Sequence, residues 1–168
     1  RTRGSIYREL MPILSDAQEF GVLSYERAIA LEPHSPLNYT ELGRIYLLGA
    51  SLASQLTEAE DPNTRANALE ARDQSLADAE RVLEKAIELK PDYAHAHYNL
   101  ALVFEQAGRT DEALAKLEAV RQFNPLDVGV AFQIGLVAMQ TDQLDYARRE
   151  FERAVTLLPT YANARWFL

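Results

Sequence analysis

Three prolines set a fixed period in this chain of 168 residues. Pro91, Pro125 and Pro159 follow one another at intervals of 34 residues, and each closes a similar run, such as Ala-Ile-Glu-Leu-Lys before Pro91. A fourth run of this kind, Ala-Ile-Ala-Leu-Glu, ends at Pro33. Proline ends a helix because it lacks a backbone N–H and its ring clashes with the preceding turn. The spacing therefore predicts a repeated helical unit with a turn at each proline.

Small and bulky residues between these prolines follow the same period. The small residues are Ala79, Ala113 and Ala147, and the bulky apolar residues four positions later are Leu83, Leu117 and Phe151. A second set of small residues is formed by Gly43, Ala101 and Gly135. Apolar residues four apart mark one face of an α-helix. Each repeat is therefore predicted to contain two helices that approach closely.

The turn between the two helices of a repeat is also visible. It reads Gly108-Arg-Thr-Asp-Glu-Ala in one copy and Thr141-Asp-Gln-Leu-Asp-Tyr-Ala in the next. Gly108 suits the left-handed position that ends a helix, because glycine has no Cβ. The side-chain oxygen of Thr110 or Asp111 is predicted to cap the following helix.

This pattern resembles the tetratricopeptide repeat (TPR), a helix–turn–helix unit. The best first helix carries Tyr39, Leu42, Gly43 and Tyr46. The best second helices carry Ala79, Leu83, Ala86 and Pro91, then Ala147, Phe151, Ala154 and Pro159. The resemblance covers roughly residues 16–168. It implies an all-α fold, a right-handed α-solenoid of antiparallel helical hairpins with one hairpin elongated. The alternative is an ordinary helical bundle with chance spacing.

We expect residues 1–168 to form a single solenoid of unequal units. The units are predicted at 5–33, 36–91, 94–125 and 128–159, and residues 162–168 begin a further helix without a partner in the chain. The first unit is degenerate, because Pro12 interrupts its first helix, while Asp16 is predicted to cap its second. The start, Arg1-Thr-Arg, has no initiator Met and is not a signal peptide, as in a piece of a longer or processed protein.

The unit at 36–91 exceeds the period by 24 residues. The excess lies between Leu47 and Asp78, where apolar stripes continue, and Asp61-Pro62 has the pattern of an N-cap followed by proline in the first helical turn. We predict that both helices are about three turns longer and form a helical arm projecting roughly 18 Å. The alternative is a loop at 57–66 between shorter helices.

Charge and composition exclude several functions. The net charge is −8, which repels phosphate backbones and argues against nucleic-acid binding. No apolar run approaches the length of a membrane span, so no membrane insertion is expected. The absence of cysteine excludes disulfides and thiol catalysis.

Catalytic motifs are also missing from the sequence. There is no phosphate loop, nucleophile elbow or metalloprotease motif. His34 follows a helix-ending proline, and His95 and His97 are two apart, so they point to different sides of a helix rather than to one metal. We predict that the chain is not an enzyme and that it needs no metal or cofactor.

In a TPR stack, the first helices line a concave groove, which by resemblance receives an extended peptide or a helix. Tyr98, Phe132 and Trp166 share the 34-residue interval and are predicted to form an aromatic ladder there. The candidate groove residues are His95, Tyr98, Asn99, Leu102, Phe132, Gln133, Leu136 and Met139. Alternatively, the aromatic rings only pack adjacent first helices together. The cations with which some TPR domains grip a C-terminal carboxylate are largely missing, so chaperone-tail binding is not expected.

The last residues, Trp166, Phe167 and Leu168, are the candidate end-to-end contact. Natural solenoids end in a polar capping helix, whereas this chain ends on an apolar cluster. Contacts between different ends of a molecule produce rings or filaments. We therefore predict a protein–protein interaction scaffold that assembles end to end with copies of itself into an oligomer or filament. The alternative is a monomeric module that binds a peptide or helix in the aromatic groove.

A further resemblance concerns the segments that follow Pro91 and Pro159. They resemble the TPR tails of bacterial membrane proteins related to O-antigen ligases. This resemblance implies an interaction tail of a larger membrane enzyme, in the periplasm or outside a bacterial cell.

Overall fold

Residues 18–168 are described in the computed structural model, and their regular structure is helical. Residues 18–31 are labelled α1. The helices that follow are α2 (Pro36–Ser54), α3 (Pro62–Leu89), α4 (Ala94–Gln106), α5 (Thr110–Phe123), α6 (Val128–Gln140), α7 (Leu144–Leu157) and α8 (Ala162–Trp166). The predicted all-α fold is confirmed, whereas the predictions for Pro12 and Asp16 lie outside the described residues. Within residues 18–168, no helix is both long enough and apolar enough to cross a membrane.

The chain divides after Leu89 into two compact units. The first unit contains the long hairpin of α2 and α3, which pack against each other. The second unit contains the hairpins α4–α5 and α6–α7, followed by α8. Within it, each helix from α4 to α8 packs on the next one along the chain. Helices that are neighbours in sequence are therefore neighbours in space, as expected of helical repeats.

The hairpin of the first unit differs from the predicted arm. Helix α2 has 19 residues and α3 has 28, whereas the helices of the regular hairpins have 13 or 14. The expected equal lengthening of both helices is therefore wrong, because most of the extra residues belong to α3. Non-helical residues 55–61 separate the two helices, so the break begins before the alternative loop at 57–66 and shares only residues 57–61 with it.

The unequal lengths follow from the chemistry at Asp61-Pro62. The Asp61 carboxylate accepts hydrogen bonds from the Thr64 backbone N–H at 2.8 Å and from the Thr64 hydroxyl at 2.6 Å. This confirms the predicted N-cap. Proline is tolerated in the first helical turn but not in a helix interior. The pair therefore fixes the start of α3, and the later excess residues lengthen that helix alone.

Glycines, which have no Cβ, let the paired helices approach closely. A Cβ atom added to Gly43 would lie 2.6 Å from Leu83 Cγ, and one added to Gly135 would lie 2.5 Å from Phe151 Cε1. In the α4–α5 hairpin the same places are taken by Ala101 and Leu117, both buried. A small residue in the first helix thus stands opposite a large one in the second helix: glycine meets Leu83 and Phe151, and alanine takes the place opposite Leu117.

The turns inside the two regular hairpins have one geometry. Gly108 has a φ of 73° and Asp142 a φ of 58°, so both lie in the left-handed region, as predicted for Gly108. The next N–H reaches back into the preceding helix, from Arg109 to the carbonyl of Phe104 at 2.8 Å and from Gln143 to the carbonyl of Ala138 at 2.9 Å. This is the pattern of a Schellman helix end, and aspartate tolerates it better than most residues.

The predicted cap of α5 by Thr110 or Asp111 is wrong. Helix α5 begins at Thr110, so its N-cap residue is Arg109, which makes no side-chain cap hydrogen bond. The Arg109 guanidinium instead binds the Glu112 carboxylate, with nitrogen–oxygen distances of 2.6 and 2.7 Å. The Schellman end of α4 turns the chain sharply, so that α5 begins two residues after Gly108, at Thr110. Thr110 therefore lies inside α5 and cannot be its N-cap.

Charged side chains are half-buried or buried between α5 and α7. Glu118 accepts hydrogen bonds from Arg121 and from the Tyr146 hydroxyl. The Glu150 carboxylate accepts a hydrogen bond from Arg121 at 3.0 Å, while its other oxygen is buried without a partner. Glu150 is 5% exposed. We call Glu118, Arg121, Tyr146 and Glu150 the ion cluster; no sequence pattern predicted it.

Burial dominates the chemistry of the ion cluster. It raises the pKa of Glu150 above its ordinary value of 4.5, and Arg121 offsets part of that rise. Burial and the hydrogen bond to Glu118 raise the pKa of Tyr146 to about 12. A carboxylate that leaves water without full compensation opposes folding. The ion cluster therefore makes the stability of the second unit sensitive to pH.

Gly135→Ala is expected to lower the free energy of unfolding by about 1–3 kcal/mol, because an overpacked core must shift. Its new Cβ would overlap the Phe151 ring, which is 2% exposed and has no free space to enter. Urea unfolding followed by circular dichroism measures the change. Gly129→Ala on the same helix is the comparison: its Cβ would come within 3.2 Å of Asp127 Oδ1, a tight contact that a shift of a few tenths of an ångström relieves, so its loss of stability should be smaller.

Adding Phe151→Leu to Gly135→Ala recreates the alanine–leucine pair of the α4–α5 hairpin. We expect the double variant to lose less stability than the sum of the single variants, by about 1 kcal/mol or more. The smaller side chain leaves space for the new methyl group. Strict additivity of the two losses would contradict the close-approach explanation.

Glu150→Gln is expected to flatten the pH dependence of stability. The raised pKa of folded Glu150 means that its contribution to stability, present in acid, is lost as pH rises from 4.5 through the folded pKa. An amide does not titrate, so the variant should gain stability relative to the wild type over that window. Urea unfolding at steps between about pH 4 and pH 7 measures the difference. Glu152→Gln on α7, where Glu152 is exposed, is the control, and equal pH slopes in both variants would contradict the burial argument.

Candidate functional site

A cleft opens in the second unit between the first turns of α4 and α6 and the end of α5. Its volume is about 230 Å³, and the residues that shape it include His95, Tyr98, Val120, Asn124, Asp127 and Val130. His95 is exposed and Tyr98 is half-buried. Two of the predicted groove residues therefore line an open cleft, which we call the α4–α6 cleft.

The side-chain amide of Asn99 is already hydrogen-bonded within α4. It is buried, and its Nδ2 donates a hydrogen bond to the carbonyl oxygen of His95 at 2.7 Å. The amide is therefore bonded to its own helix. This hydrogen bond competes with the predicted hydrogen bond from Asn99 to a peptide backbone. Leu102, one turn after Tyr98, is half-buried.

Phe132 belongs to the core of the α6–α7 hairpin. Its ring centroid lies 5.3 Å from that of Tyr161, 5.7 Å from that of Phe151 and 5.9 Å from that of Phe167. Leu136 packs against the same core cluster. Phe132 therefore has the environment that the packing alternative describes, whereas Tyr98 lines a cleft. The ring contacts found within residues 18–168 do not join Tyr98, Phe132 and Trp166 to one another.

Gln133 connects the two first helices through a residue outside the predicted groove set. Its Nε2 donates to the Glu105 carboxylate at 2.6 Å, and Gln140 Nε2 donates to the same carboxylate at 3.0 Å. Glu105 on α4 thereby joins two amides of α6. Met139, the last predicted groove residue, is exposed. Gln133 and Gln140 lie 28 and 35 residues after Glu105. Separations this close to the repeat length place the three residues on adjacent first helices, and this spacing is the signal that could have predicted the bridge.

Negative charge surrounds Tyr98. Burial raises the pKa of its hydroxyl, and the carboxylates of Asp127 and Glu105 raise it further. Asp127 is the N-cap of α6, because its Oδ1 accepts the Val130 N–H at 3.1 Å. Its other oxygen accepts from Asn124 Nδ2 at 3.2 Å. The two carboxylates are thus fixed in place by neutral donors.

The last residues differ in their surroundings. Trp166 is 80% exposed and Leu168 is 56% exposed. Phe167, in contrast, is half-buried, and its ring stacks on that of Phe151 with centroids 4.8 Å apart. Phe167 therefore closes the core of its own hairpin, which differs from the expectation that all three residues are uncovered.

The two neighbouring histidines of α4 have different roles. His97 is buried, its Nε2 lies 2.8 Å from the carbonyl oxygen of Pro91, and its ring packs on Phe123. His95 is exposed at the cleft. In residues 18–168, His, Asp and Glu side chains do not gather into any group of three or more that could hold a metal ion.

A second cleft lies in the first unit and has a volume of about 410 Å³. It is lined by Gln18 of α1 and by small residues of the long hairpin, which include Gly49, Ala53, Ala68 and Ala71. Polar side chains of Thr64, Asn67 and Ser75 also line it, but none of its lining residues within the described part of the chain is aromatic, whereas Tyr98 lines the α4–α6 cleft. The α4–α6 cleft is therefore the stronger candidate site for a peptide.

Part of the chain matches a known repeat family. Residues 63–128 match the family model of the tetratricopeptide repeat. A comparison with curated proteins gives no match. No finding bears on the resemblance to the tails of O-antigen-ligase-like membrane proteins, which stays a prediction.

Three solved structures are similar to the chain along most of its length. TTC0263, a thermophilic TPR protein in Thermus thermophilus, is 21% identical, with a TM-score of 0.72 over 95% of this chain and 74% of that one. A structure described as MamA MSR-1 C2 is 21% identical, with a TM-score of 0.61 over 86% and 70%. YrrB, described as a TPR protein with an unusual peptide-binding site, is 17% identical, with a TM-score of 0.52 over 96% and 88%. Residues 63–128 therefore match the tetratricopeptide repeat, and the solved structures show that the chain has the fold of TPR proteins.

Proposed function

We propose that the chain is a non-catalytic protein-interaction scaffold that holds a peptide or a helix of a partner in the α4–α6 cleft. The observation that carries the proposal is Tyr98, an aromatic side chain that lines an open cleft and is only half-buried. Aromatic side chains in such clefts supply most of the binding energy in peptide recognition. The TPR fold supports this function, and YrrB is described as having a peptide-binding site.

Tyr98 and Phe132 have different value as probes of this proposal. Phe132 packs against Phe151, Tyr161 and Phe167, so its removal would damage the hairpin core as well as any groove. Tyr98 lines the cleft wall. Truncation of Tyr98 is therefore the change that separates binding from folding.

Tyr98→Ala is expected to weaken peptide binding about 10- to 30-fold, the effect of removing a central aromatic anchor. Peptides are first selected from a random displayed library against the wild-type chain, and their dissociation constants are then measured by fluorescence anisotropy. Phe20→Ala is the matched control, because Phe20 is an exposed aromatic residue on α1. Circular dichroism checks that both variants stay helical. Selected peptides that bind Tyr98→Ala as tightly as the wild type would refute the proposal.

Self-association is a second candidate function, and the exposed end of the second unit favours it. Trp166 is 80% exposed, and Leu168 and Leu158 are also exposed. Large apolar side chains that remain in water are a frequent mark of contact surfaces. Copies of this chain could bury that surface in an end-to-end contact.

Trp166→Ala combined with Leu168→Ala is expected to abolish concentration-dependent self-association. Sedimentation velocity of the wild type over about 1–100 µM should show growth in size, since an apolar contact of modest area is weak. Leu144→Ala, which also alters an exposed leucine of the second unit, is the control and should assemble as the wild type does. A wild-type chain that sediments as a monomer at every concentration would exclude this candidate.

A further inference from the structure

The face formed by α4 and α6 contains no positive side chain. Neither Ala94–Gln106 nor Val128–Gln140 includes a lysine or an arginine. The two carboxylates that act on Tyr98 are those of Glu105 on α4 and Asp127 at the start of α6. The Asp127 carboxylate therefore lines the α4–α6 cleft, and Glu105 lies about two helical turns beyond Tyr98 on α4, while neither helix contributes a lysine or an arginine.

Neighbouring cations of the second unit are engaged elsewhere. Lys90 lies over the ring of Tyr93, with its Nζ 5.3 Å from the centroid. Arg121 binds Glu118 and Glu150 in the ion cluster. Arg153 donates to the carbonyl oxygen of Pro125 at 2.7 Å. Each of these three cations therefore already has a partner of its own within the second unit.

The hydrogen bonds of the two carboxylates hold them in place without cancelling their charge. Glu105 accepts from the amides of Gln133 and Gln140, and Asp127 accepts from the Val130 N–H and the Asn124 amide. All four donors are neutral groups. A fixed carboxylate of this kind attracts a cation at a low entropic cost, because its own position is already set.

The space beside Tyr98 suits one long cationic side chain. Its volume of about 230 Å³ is below the 300–1,000 Å³ or so of pockets that enclose a drug-sized ligand. The aliphatic stems of lysine and arginine pack on apolar surfaces while their heads reach charged groups. The Tyr98 ring adds a cation–π surface.

Helix dipoles act in the opposite direction. The first turns of α4 and α6 carry partial positive charge, about half a unit per helix, which favours an anion. At α6 that charge is already used by the Asp127 cap. The two helix starts together offset about one unit of negative charge, whereas Asp127 and Glu105 together carry about two, so the balance of charge around Tyr98 stays negative.

We infer that the α4–α6 cleft binds a lysine or arginine side chain of a basic peptide segment, seated on Tyr98 beside Asp127, with Glu105 adding negative charge further along α4. The inference rests on the proposed peptide-binding function and adds the chemistry of the partner. The predicted partner is positively charged, whereas the TPR domains that grip a C-terminal carboxylate with cations take negatively charged ligands. It also fits the net charge of −8, which steers basic partners toward the chain.

The test uses peptides selected from a random displayed library, sorted by whether Tyr98→Ala weakens their binding. The Tyr98-dependent peptides are expected to be enriched in lysine and arginine. Asp127→Asn removes the charge while keeping an N-cap side chain of similar strength, and Glu105→Gln removes the other charge. Each is expected to weaken these peptides about three- to tenfold, the range of partly exposed charge pairs. Glu152→Gln on α7, which removes one negative charge outside the cleft, should leave binding unchanged.

Two further measurements separate charge from structure. Replacing the lysine or arginine of a selected peptide by norleucine should make its binding insensitive to Asp127→Asn, as a double-mutant cycle requires for a direct pair. Raising ionic strength from about 0.05 M to about 0.5 M should weaken the basic peptide and not its norleucine form, because salt screens exposed charge pairs.

The outcomes distinguish this inference from the proposed function. Tyr98-dependent peptides that are acidic or purely apolar, and that ignore Asp127→Asn and Glu105→Gln, would overturn the inference and leave the proposed function standing. A selection that yields no Tyr98-dependent peptide would overturn both.

Discussion

The close approach of paired helices is the constraint on which the rest of the structure depends. At Gly43 and Gly135 the second helix of the hairpin occupies the space where a Cβ would be, through Leu83 in one case and Phe151 in the other. This contact sets the distance between the helices. The hairpin that carries the Gly108 turn and the cleft beside Tyr98 has Ala101 and Leu117 at the same places, both buried. The recurrence of small and bulky residues at intervals of 34 therefore reflects the short distance at which the paired helices pack.

Much of the fold could be predicted because it follows from local chemistry. The prolines, Gly108 and the Asp61-Pro62 pair act on the backbone within a few residues, and each produced the expected helix end or start. The division of the extra residues between α2 and α3 could not be predicted, because apolar stripes continue through both segments. The cap of α5 was missed because the Schellman end of α4 leaves only Arg109 before that helix.

The candidate site was predictable in position and less so in chemistry. A period of 34 residues places Tyr98 and Phe132 on equivalent helices, but it does not say which ring meets a neighbour. Phe132 enters the core because Tyr161 and Phe167 of the following segment reach it. The amides of Asn99 and Gln133 are satisfied within the protein, a result of side-chain rotamers that spacing cannot express. What remains open to a partner is defined by Tyr98 and two carboxylates.

The stacking of Phe167 on Phe151 has a spectroscopic consequence. Trp166 is the only tryptophan in the chain, and its ring meets that of Phe167 edge-on at 4.9 Å. One side of the indole is therefore exposed to water, and the other side contacts Phe167, which stacks on Phe151 of the hairpin core. Its emission reports two separate events without any added label. A partner that covers the end of the second unit would shift the emission to the blue, whereas loosening of the core would change it through Phe167.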